Sequence, residues 1–166
     1  MAFVIAPTVS VPTLKAVRDL LGDLTGKEIE VASGAEPVGV GGSSGSVVGL
    51  YVDAELKSRA LIAFDLPLAA YSGAALGLVP PGGAQDAVDA HELPEHLLDN
   101  CGEVLNIMAS LFNLPRSPHL KLYACYGPTE QLRPDVRELA VRLAPRDDIA
   151  VEIARYGKGR MSIVLA

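Results

Sequence analysis

Aromatic and basic residues are scarce in this sequence of 166 residues, which contains no tryptophan, three phenylalanines and five tyrosines. Proteins that bind single-stranded nucleic acid usually stack the bases on aromatic side chains, so this shortage argues against that class. Only 14 lysines and arginines face 20 aspartates and glutamates, which gives a formal net charge of −6. An acidic chain is poorly suited to binding a phosphate backbone. We therefore expect no nucleic-acid partner.

Cysteine is scarce as well. The two cysteines, Cys101 and Cys125, are far apart in the sequence and form no C-x-x-C pair, the spacing typical of zinc and redox sites. No apolar run reaches the length of about 18 residues that is needed to cross a membrane. Residues 1–7 lack the basic start and long apolar stretch of a signal peptide. We therefore expect a cytoplasmic protein with no metal site and no membrane partner.

Apolar residues, in contrast, make up 49% of the chain. A chain of this length and apolar content buries one sizeable core but is too short for two ordinary domains. We therefore predict a single domain over residues 1–166.

Apolar periodicity and turn residues divide the chain into predicted elements. Helices are predicted over residues 12–24, 67–76 and 94–114, with a short helix or loop over 134–143. Strands are predicted over residues 28–32, 47–52, 60–66, 120–126, 149–155 and 161–165. The last two strands are expected to form a hairpin around Gly157 and Gly159. The acidic segment over residues 79–93, which is rich in proline and glycine at its start, is predicted to be a mobile connector.

The predicted elements occur twice in the same order. Helix, strand, long connection and hairpin are found over residues 11–66 and again over residues 94–165. Two such half-repeats, with hairpins and few long helices, favour an antiparallel sheet whose long helices pack on one side. The predicted fold class is therefore α+β, and a parallel Rossmann order is disfavoured.

The helix predicted over residues 94–114 has one apolar and one polar side. Its apolar stripe at helical spacing consists of Leu97, Leu98, Cys101, Val104, Leu105, Met108, Leu111 and Phe112. The opposite side carries Asp99, Glu103, Asn106, Ser110 and Asn113. Most polar helix faces are only solvated surfaces. Gly102 lies beside this row, however, and a glycine inside a helix costs about 1 kcal/mol relative to alanine, which indicates that another molecule approaches closely there.

The segment LDNCGEVLNIMA over residues 98–109 resembles the E-x-x-N helix of the CheC/CheX/FliY phosphatase family. The matching residues are Glu103 and Asn106, with Gly102 directly before the glutamate and Asp99 four residues before it. The order of the two half-repeats is similar to the family's pattern over most of residues 11–165. The first helix has Asp-Leu-Leu-Gly over residues 19–22 where a second E-x-x-N could stand, so the resemblance is to single-site CheX-like members.

This resemblance implies a phosphatase that acts on the aspartyl phosphate of a CheY-like response regulator in chemotaxis. Asn106 would orient the attacking water, much as a glutamine does in GTPases, and Glu103 would anchor the helix by pairing with a lysine of the regulator. Asp99, Gly102 and Ser110 would belong to the surface that binds the partner. The Mg²⁺ ion of such a reaction would be supplied by the regulator, so the chain would need no cofactor of its own.

Two other functions remain open at this point. In one, the chain is a non-catalytic binding module that sequesters or senses a response regulator or another signalling protein. Ser110 stands where the family commonly has glycine, and the first half-repeat has no site, which suits such a module. In the other, it is a small-ligand-binding or structural dimer whose polar helix face is idle. A free sheet edge in the first or last hairpin, together with the CheX resemblance, predicts a homodimer.

Three further motifs lack the residues that their chemistry requires. The Gly/Ser stretch over residues 39–46 has no Lys-Ser/Thr ending and so does not match a P-loop. His91 and His96 are five residues apart with Pro94 between them, which differs from a zinc helix. His119 has no acid or cysteine at an established triad-like spacing. We predict a flexible loop for the first and structural roles for the histidines.

Overall fold

The computed structural model describes residues 8–41 and 44–166 as an α+β fold. The helices are α1 (Leu14–Thr25), α2 (Leu66–Leu76), α3 (Pro81–Ala90), α4 (Glu95–Met108) and α5 (Pro134–Ala140), with a 3-10 helix at Ala109–Phe112. The strands are β1 (Ile29–Ser33), β2 (Val47–Val52), β3 (Ser58–Phe64), β4 (Lys121–Tyr126), β5 (Arg146–Ile153) and β6 (Gly157–Leu165). In this part of the chain no helix has both the length and the apolar character of a membrane span. The interpretation of residues 1–7 lies outside the described residues.

The six strands form one antiparallel sheet in the order β1-β5-β6-β3-β2-β4. The hairpins β2–β3 and β5–β6 occupy the centre, and each single strand pairs with the hairpin of the other half of the chain. The predicted α+β class with an antiparallel sheet is confirmed. The predicted free hairpin edge is wrong, because every hairpin strand has a partner on both sides and the outer strands of the sheet are β1 and β4. Pairing between the two halves of the chain decides which strands lie at the edges of the sheet, and the local residue pattern carries no information about this pairing.

One face of the sheet is covered by α1, α2 and α4, which share the larger apolar core with β2, β3, β5 and β6. Helix α2 is apolar on nearly all sides, and α3 and α4 pack against it. The long helices therefore lie on one side, as predicted. The short helix α5 lies on the other side, where Leu132, Val136 and Leu139 form a smaller core with Leu50 and Leu61.

The mobile connector predicted over residues 79–93 is wrong for most of its length, since residues 81–90 form helix α3. Ala84 and Ala87 lie on one side of this helix and are buried in the larger core. The Tyr156 hydroxyl donates to the Val79 carbonyl at 2.6 Å, and the Tyr71 hydroxyl donates to Gln85 Oε1 at 3.1 Å. Two small apolar side chains and two long-range hydrogen bonds order a segment whose composition is typical of a loop.

The β5–β6 hairpin turns three positions earlier than predicted. Its turn includes Arg155, which has a φ of 72°, and Gly157 already begins strand β6. Gly159 lies directly under α2, where a Cβ would be 2.6 Å from the backbone nitrogen of Leu68. This glycine therefore permits the close approach of helix and strand and is not needed for the turn.

Helices α2 and α4 also approach closely, at Gly73. A Cβ on this residue would lie 2.6 Å from the Leu97 carbonyl oxygen and 3.3 Å from the Cys101 nitrogen. The Asn100 side chain adds a hydrogen bond from Nδ2 to the Gly73 carbonyl at 3.1 Å. The inner side of α4 is thus held against α2 through backbone contacts, which fixes the direction in which its opposite side points.

Candidate docking and catalytic helix

Helix α4 buries most of its predicted apolar stripe and exposes most of its predicted polar row. Leu97, Cys101, Val104, Leu105 and Met108 are buried against α2 and the sheet. Asp99, Glu103, Asn106 and Ser110 are exposed, and Gly102 is partly exposed among them. The structure therefore brings all five residues singled out in the sequence to one outward surface, which we call the α4 face.

Asn113, the last member of the predicted polar row, does not belong to the α4 face. Its Oδ1 accepts the Leu120 amide at 2.7 Å, and its Nδ2 donates to the Leu120 carbonyl at 3.1 Å. This side chain ties the end of the 3-10 helix to the start of β4. The 3-10 helix itself replaces the last turn of the unbroken helix predicted to reach residue 114.

Glu103 and Asn106 lie one helical turn apart, and within the described residues neither side chain has a hydrogen-bond or ion-pair partner. Asp99, the other carboxylate of the α4 face, is likewise exposed, and α4 contains no lysine or arginine. The α4 face is therefore acidic and carries no countercharge of its own. Such a surface is complementary to a basic partner, and the polar groups of the surface are available to bind that partner.

Nothing in the part of the chain that the structure describes requires a glycine at position 102. A Cβ at this position would meet only the Cys125 Sγ at 3.8 Å, an ordinary van der Waals contact. Gly73 on α2 differs, because the backbone of α4 excludes a side chain there. The helix thus has a residue of poor helical propensity at an unobstructed surface position.

Comparison with solved structures finds the same architecture in chains of CheX, FliY and FliM. A chain of the CheX–CheY complex with BeF₃ and Mg²⁺ from Borrelia burgdorferi matches with a TM-score of 0.57 and 18% identity, covering 92% of this chain and 94% of that chain. FliY from Thermotoga maritima matches with a TM-score of 0.55 and 19% identity, covering 90% and 81%. The middle domain of FliM from H. pylori matches with a TM-score of 0.60 and 8% identity, covering 91% and 83%.

The chain has the CheC/CheX/FliY fold. No family model and no curated protein matches the sequence. The fold is thus shared at identities below 20%.

Within this CheC/CheX/FliY fold, helix α1 shows the same pattern of buried and exposed residues as α4. Val17, Leu21 and Thr25 are buried as Leu97, Cys101 and Leu105 are, so the two helices correspond at an offset of 80 residues. The offset pairs Gly22 with Gly102, and Asp23 with Glu103. The asparagine position falls on Gly26, the left-handed residue that ends α1 with a φ of 67°.

The sequence comparison placed the counterpart of the E-x-x-N motif at residues 19–22, whereas the structure places it at residues 23–26. The first half-repeat has an acid and a glycine in the matching places but has no amide side chain. A signal for this register was present in the sequence, because an acid, two residues, glycine and a second acid occur in both helices.

The two cysteines are free and do not supply a reactive thiolate. Burial raises the pKa of Cys101 above its ordinary range. Burial, followed by the negative charge of Glu130, raises the pKa of Cys125 to about 11. Both thiols are therefore protonated near neutral pH, and nucleophilic catalysis through cysteine is disfavoured.

The histidines do not form a site among the described residues. His91, His96 and His119 are all exposed, and no group of three or more metal-ligating side chains occurs in this part of the chain. Residues 42 and 43 of the Gly/Ser stretch lie outside the described residues. Val38, which precedes the stretch, is buried in the smaller core, and its amide donates to Ser162 Oγ at 2.9 Å.

Proposed function

We propose that this chain is a phosphatase that hydrolyses the aspartyl phosphate of a CheY-like response regulator in cytoplasmic chemotaxis signalling. The observation that carries the proposal is the pair Glu103 and Asn106 on the exposed side of a helix whose other side is fixed. The two residues lie one turn apart and have no side-chain partner among residues 8–41 and 44–166. The fold likeness to a chain of a CheX–CheY complex supports the choice of partner.

Asn106 is the residue proposed to act on the reacting water. Its carboxamide offers both a donor and an acceptor, so it holds a water molecule in one orientation without itself exchanging a proton. The water oxygen attacks the phosphorus, the bond between phosphorus and the aspartyl oxygen breaks, and the regulator's aspartate is regenerated with release of phosphate. Positioning of this kind supplies most of the catalysis in phosphoryl transfer.

Glu103 is proposed to anchor the helix through an ion pair with a lysine of the regulator. Asp99 adds negative charge to the same surface, and Gly102 allows the partner's backbone to approach. Ser110, one turn beyond Asn106, lies at the rim of the contact. The Mg²⁺ that neutralises the phosphoryl oxygens is proposed to belong to the regulator, so chelation by EDTA would stop the reaction through the partner.

The experiment that tests the proposal is a screen of the CheY-like regulators of the source organism. Each is phosphorylated with radiolabelled acetyl phosphate in Mg²⁺, and loss of label is followed with and without the chain. Faster loss for at least one regulator is expected. If no regulator loses phosphate faster but one binds in its BeF₃-activated form, the non-catalytic sequestering module replaces the phosphatase. The Glu103–Asn106 pair would then serve docking alone.

Glu103→Gln is expected to weaken binding of the BeF₃-activated regulator by about tenfold, because a charge pair at the centre of an interface is lost. The hydrolysis rate at saturating regulator should change little. Surface plasmon resonance at low and at high salt provides the measurement. Glu95→Gln, in the first turn of the same helix, is the matched control and should retain wild-type affinity. Equal weakening in both variants would mean that only the overall acidity of the helix matters.

Gly102→Ala is expected to stabilise the free protein by up to about 1 kcal/mol, since alanine favours the helix and the site has room for a Cβ. The same substitution should weaken regulator binding at least about fivefold, because the methyl group occupies the space of close approach. Urea denaturation and titration calorimetry measure the two quantities. An unchanged affinity would show that the partner does not come close to Gly102.

We also propose that the chain forms a homodimer. The two copies would pair through β1 or β4, the outer strands of the sheet, because no hairpin strand lies at an edge among the described residues. In β4 the register shifts opposite Leu50 and Tyr51, which leaves Tyr123 as an extra residue with a half-exposed side chain. Such a bulge discourages pairing of an edge strand, and the register between β1 and β5 is regular, so β1 is the better edge. Light scattering that returns a monomer at micromolar concentrations would contradict the dimer.

A further inference from the structure

The hydrogen bonding of α4 changes directly after Asn106. The Ala109 amide donates to the Asn106 carbonyl, three residues back, where a continued α-helix would use the Leu105 carbonyl. The Leu105 carbonyl instead accepts a hydrogen bond from the hydroxyl of Tyr51, on strand β2. The Tyr51 hydroxyl thus replaces a backbone amide as the hydrogen-bond donor to the carbonyl of Leu105, the residue before Asn106.

Tyr51 is itself held rigidly. Its side chain is fully buried, and its ring lies 5.2 Å from that of Phe112 with an angle of 57° between the planes. Phe112 belongs to the 3-10 helix, so Tyr51 contacts the chain on both sides of the junction. Burial raises the pKa of the Tyr51 hydroxyl well above its ordinary value, with a smaller contribution from Cys125 and Cys101. The hydroxyl is therefore a permanent donor.

We propose that Tyr51 is a positioning residue that sets the orientation of Asn106. The hydroxyl fixes the carbonyl of Leu105, and the first 3-10 hydrogen bond fixes the carbonyl of Asn106, so both peptide groups around the asparagine are determined. The inference rests on the proposed phosphatase function. Because the direction of a side chain follows from its backbone, Tyr51 acts on the carboxamide without touching the regulator.

The binding groups are separated from this junction. Glu103 and Gly102 lie one turn earlier, where α4 is regular and packed against α2. Loss of the Tyr51 hydroxyl therefore changes the orientation of Asn106 and leaves the anchoring surface in place. A positioning role thus predicts a loss of rate without a loss of affinity, and a general structural role does not.

The test compares Tyr51→Phe with Tyr156→Phe, both of which remove a hydroxyl that donates to a backbone carbonyl. Tyr156 bonds to Val79, between the β5–β6 turn and the start of α3, so it is a matched control outside the α4 face. The regulator found in the phosphatase screen is the substrate, and its BeF₃-activated form is the binding probe. Both variants are assayed well below the melting temperature of the less stable one.

We expect the saturated hydrolysis rate of Tyr51→Phe to fall about tenfold, since a small misplacement of a positioning group is costly, while its affinity stays within about twofold of wild type. Tyr156→Phe should change neither. In Tyr51→Phe, the backbone amide of Ala109 should shift in NMR spectra as it regains the Leu105 carbonyl.

Four outcomes would overturn the inference. A wild-type rate in Tyr51→Phe would reject the positioning role while leaving the phosphatase standing. Equal losses in both tyrosine variants, or a parallel loss of affinity in Tyr51→Phe, would assign the effect to stability or docking. A wild-type chain that accelerates no regulator would reject the phosphatase proposal itself, and the positioning role with it.

Discussion

Asn106→Ala is expected to slow hydrolysis of the regulator's aspartyl phosphate about 100-fold, because the water loses the group that orients it in line with the phosphorus. This corresponds to about 2.7 kcal/mol of lost transition-state stabilisation. The α4 helix should remain intact, since the Asn106 side chain is exposed and alanine has a higher helical propensity. Single-turnover loss of radiolabel from the phosphorylated regulator provides the measurement.

The affinity of the Asn106→Ala variant for the BeF₃-activated regulator should stay close to that of wild type. Gln131→Ala is a suitable control, because it removes an exposed carboxamide that lies outside α4. Full activity in Asn106→Ala would exclude the asparagine from the reaction. A large loss of affinity would place Asn106 among the binding groups and favour the sequestering module.

Gly73→Ala is expected to lower the free energy of unfolding by about 2–3 kcal/mol. The added Cβ would meet the Leu97 carbonyl oxygen at 2.6 Å, and because this neighbour is backbone, the whole of α4 must move to relieve the contact. The gain in helical propensity, about 1 kcal/mol, offsets only part of this cost. Urea denaturation followed by circular dichroism measures the change.

Gly82→Ala is the matched control for Gly73→Ala. Gly82 also lies in a helix, α3, but a Cβ there would have no neighbour within 4 Å. This variant should be as stable as wild type or slightly more stable. If Gly73→Ala were equally harmless, α4 would have freedom to shift away from α2, and the fixed presentation of the α4 face would not depend on this contact.

The elements nearest to the site were predictable because each has a clear local pattern. The apolar run Val47–Val52 and the apolar stripe of α4 both predict the correct element, and the same stripe determines that Glu103 and Asn106 point outward. Helix α3 was missed because its only buried side chains, Ala84 and Ala87, are too small to produce a strong periodic signal. The Gly157–Gly159 pair was misinterpreted as a turn because glycine serves close packing and turns equally well.

The polar row predicted for α4 also included one residue too many, Asn113. The spacing of Asn113 agrees with that of Asn106, but its carboxamide turns inward to bind both polar backbone groups of Leu120. This difference arises because α4 changes to a 3-10 helix before Asn113. At this change the Leu105 carbonyl accepts a hydrogen bond from Tyr51, which is 54 residues away in the sequence. A helical pattern assumes a constant rotation per residue and does not detect such a change.

The sequence by itself determined the class of secondary structure, the apolar sides of the main helices and the resemblance carried by Glu103 and Asn106, because these properties depend on neighbours within one or two turns. Only the tertiary structure decided which strands are at the edges, how Gly73 fixes α4 against α2, and that the Tyr51 hydroxyl bonds to the Leu105 carbonyl beside Asn106. These features depend on contacts between residues that are far apart in the chain. Such contacts exist only once the two halves have paired into one sheet.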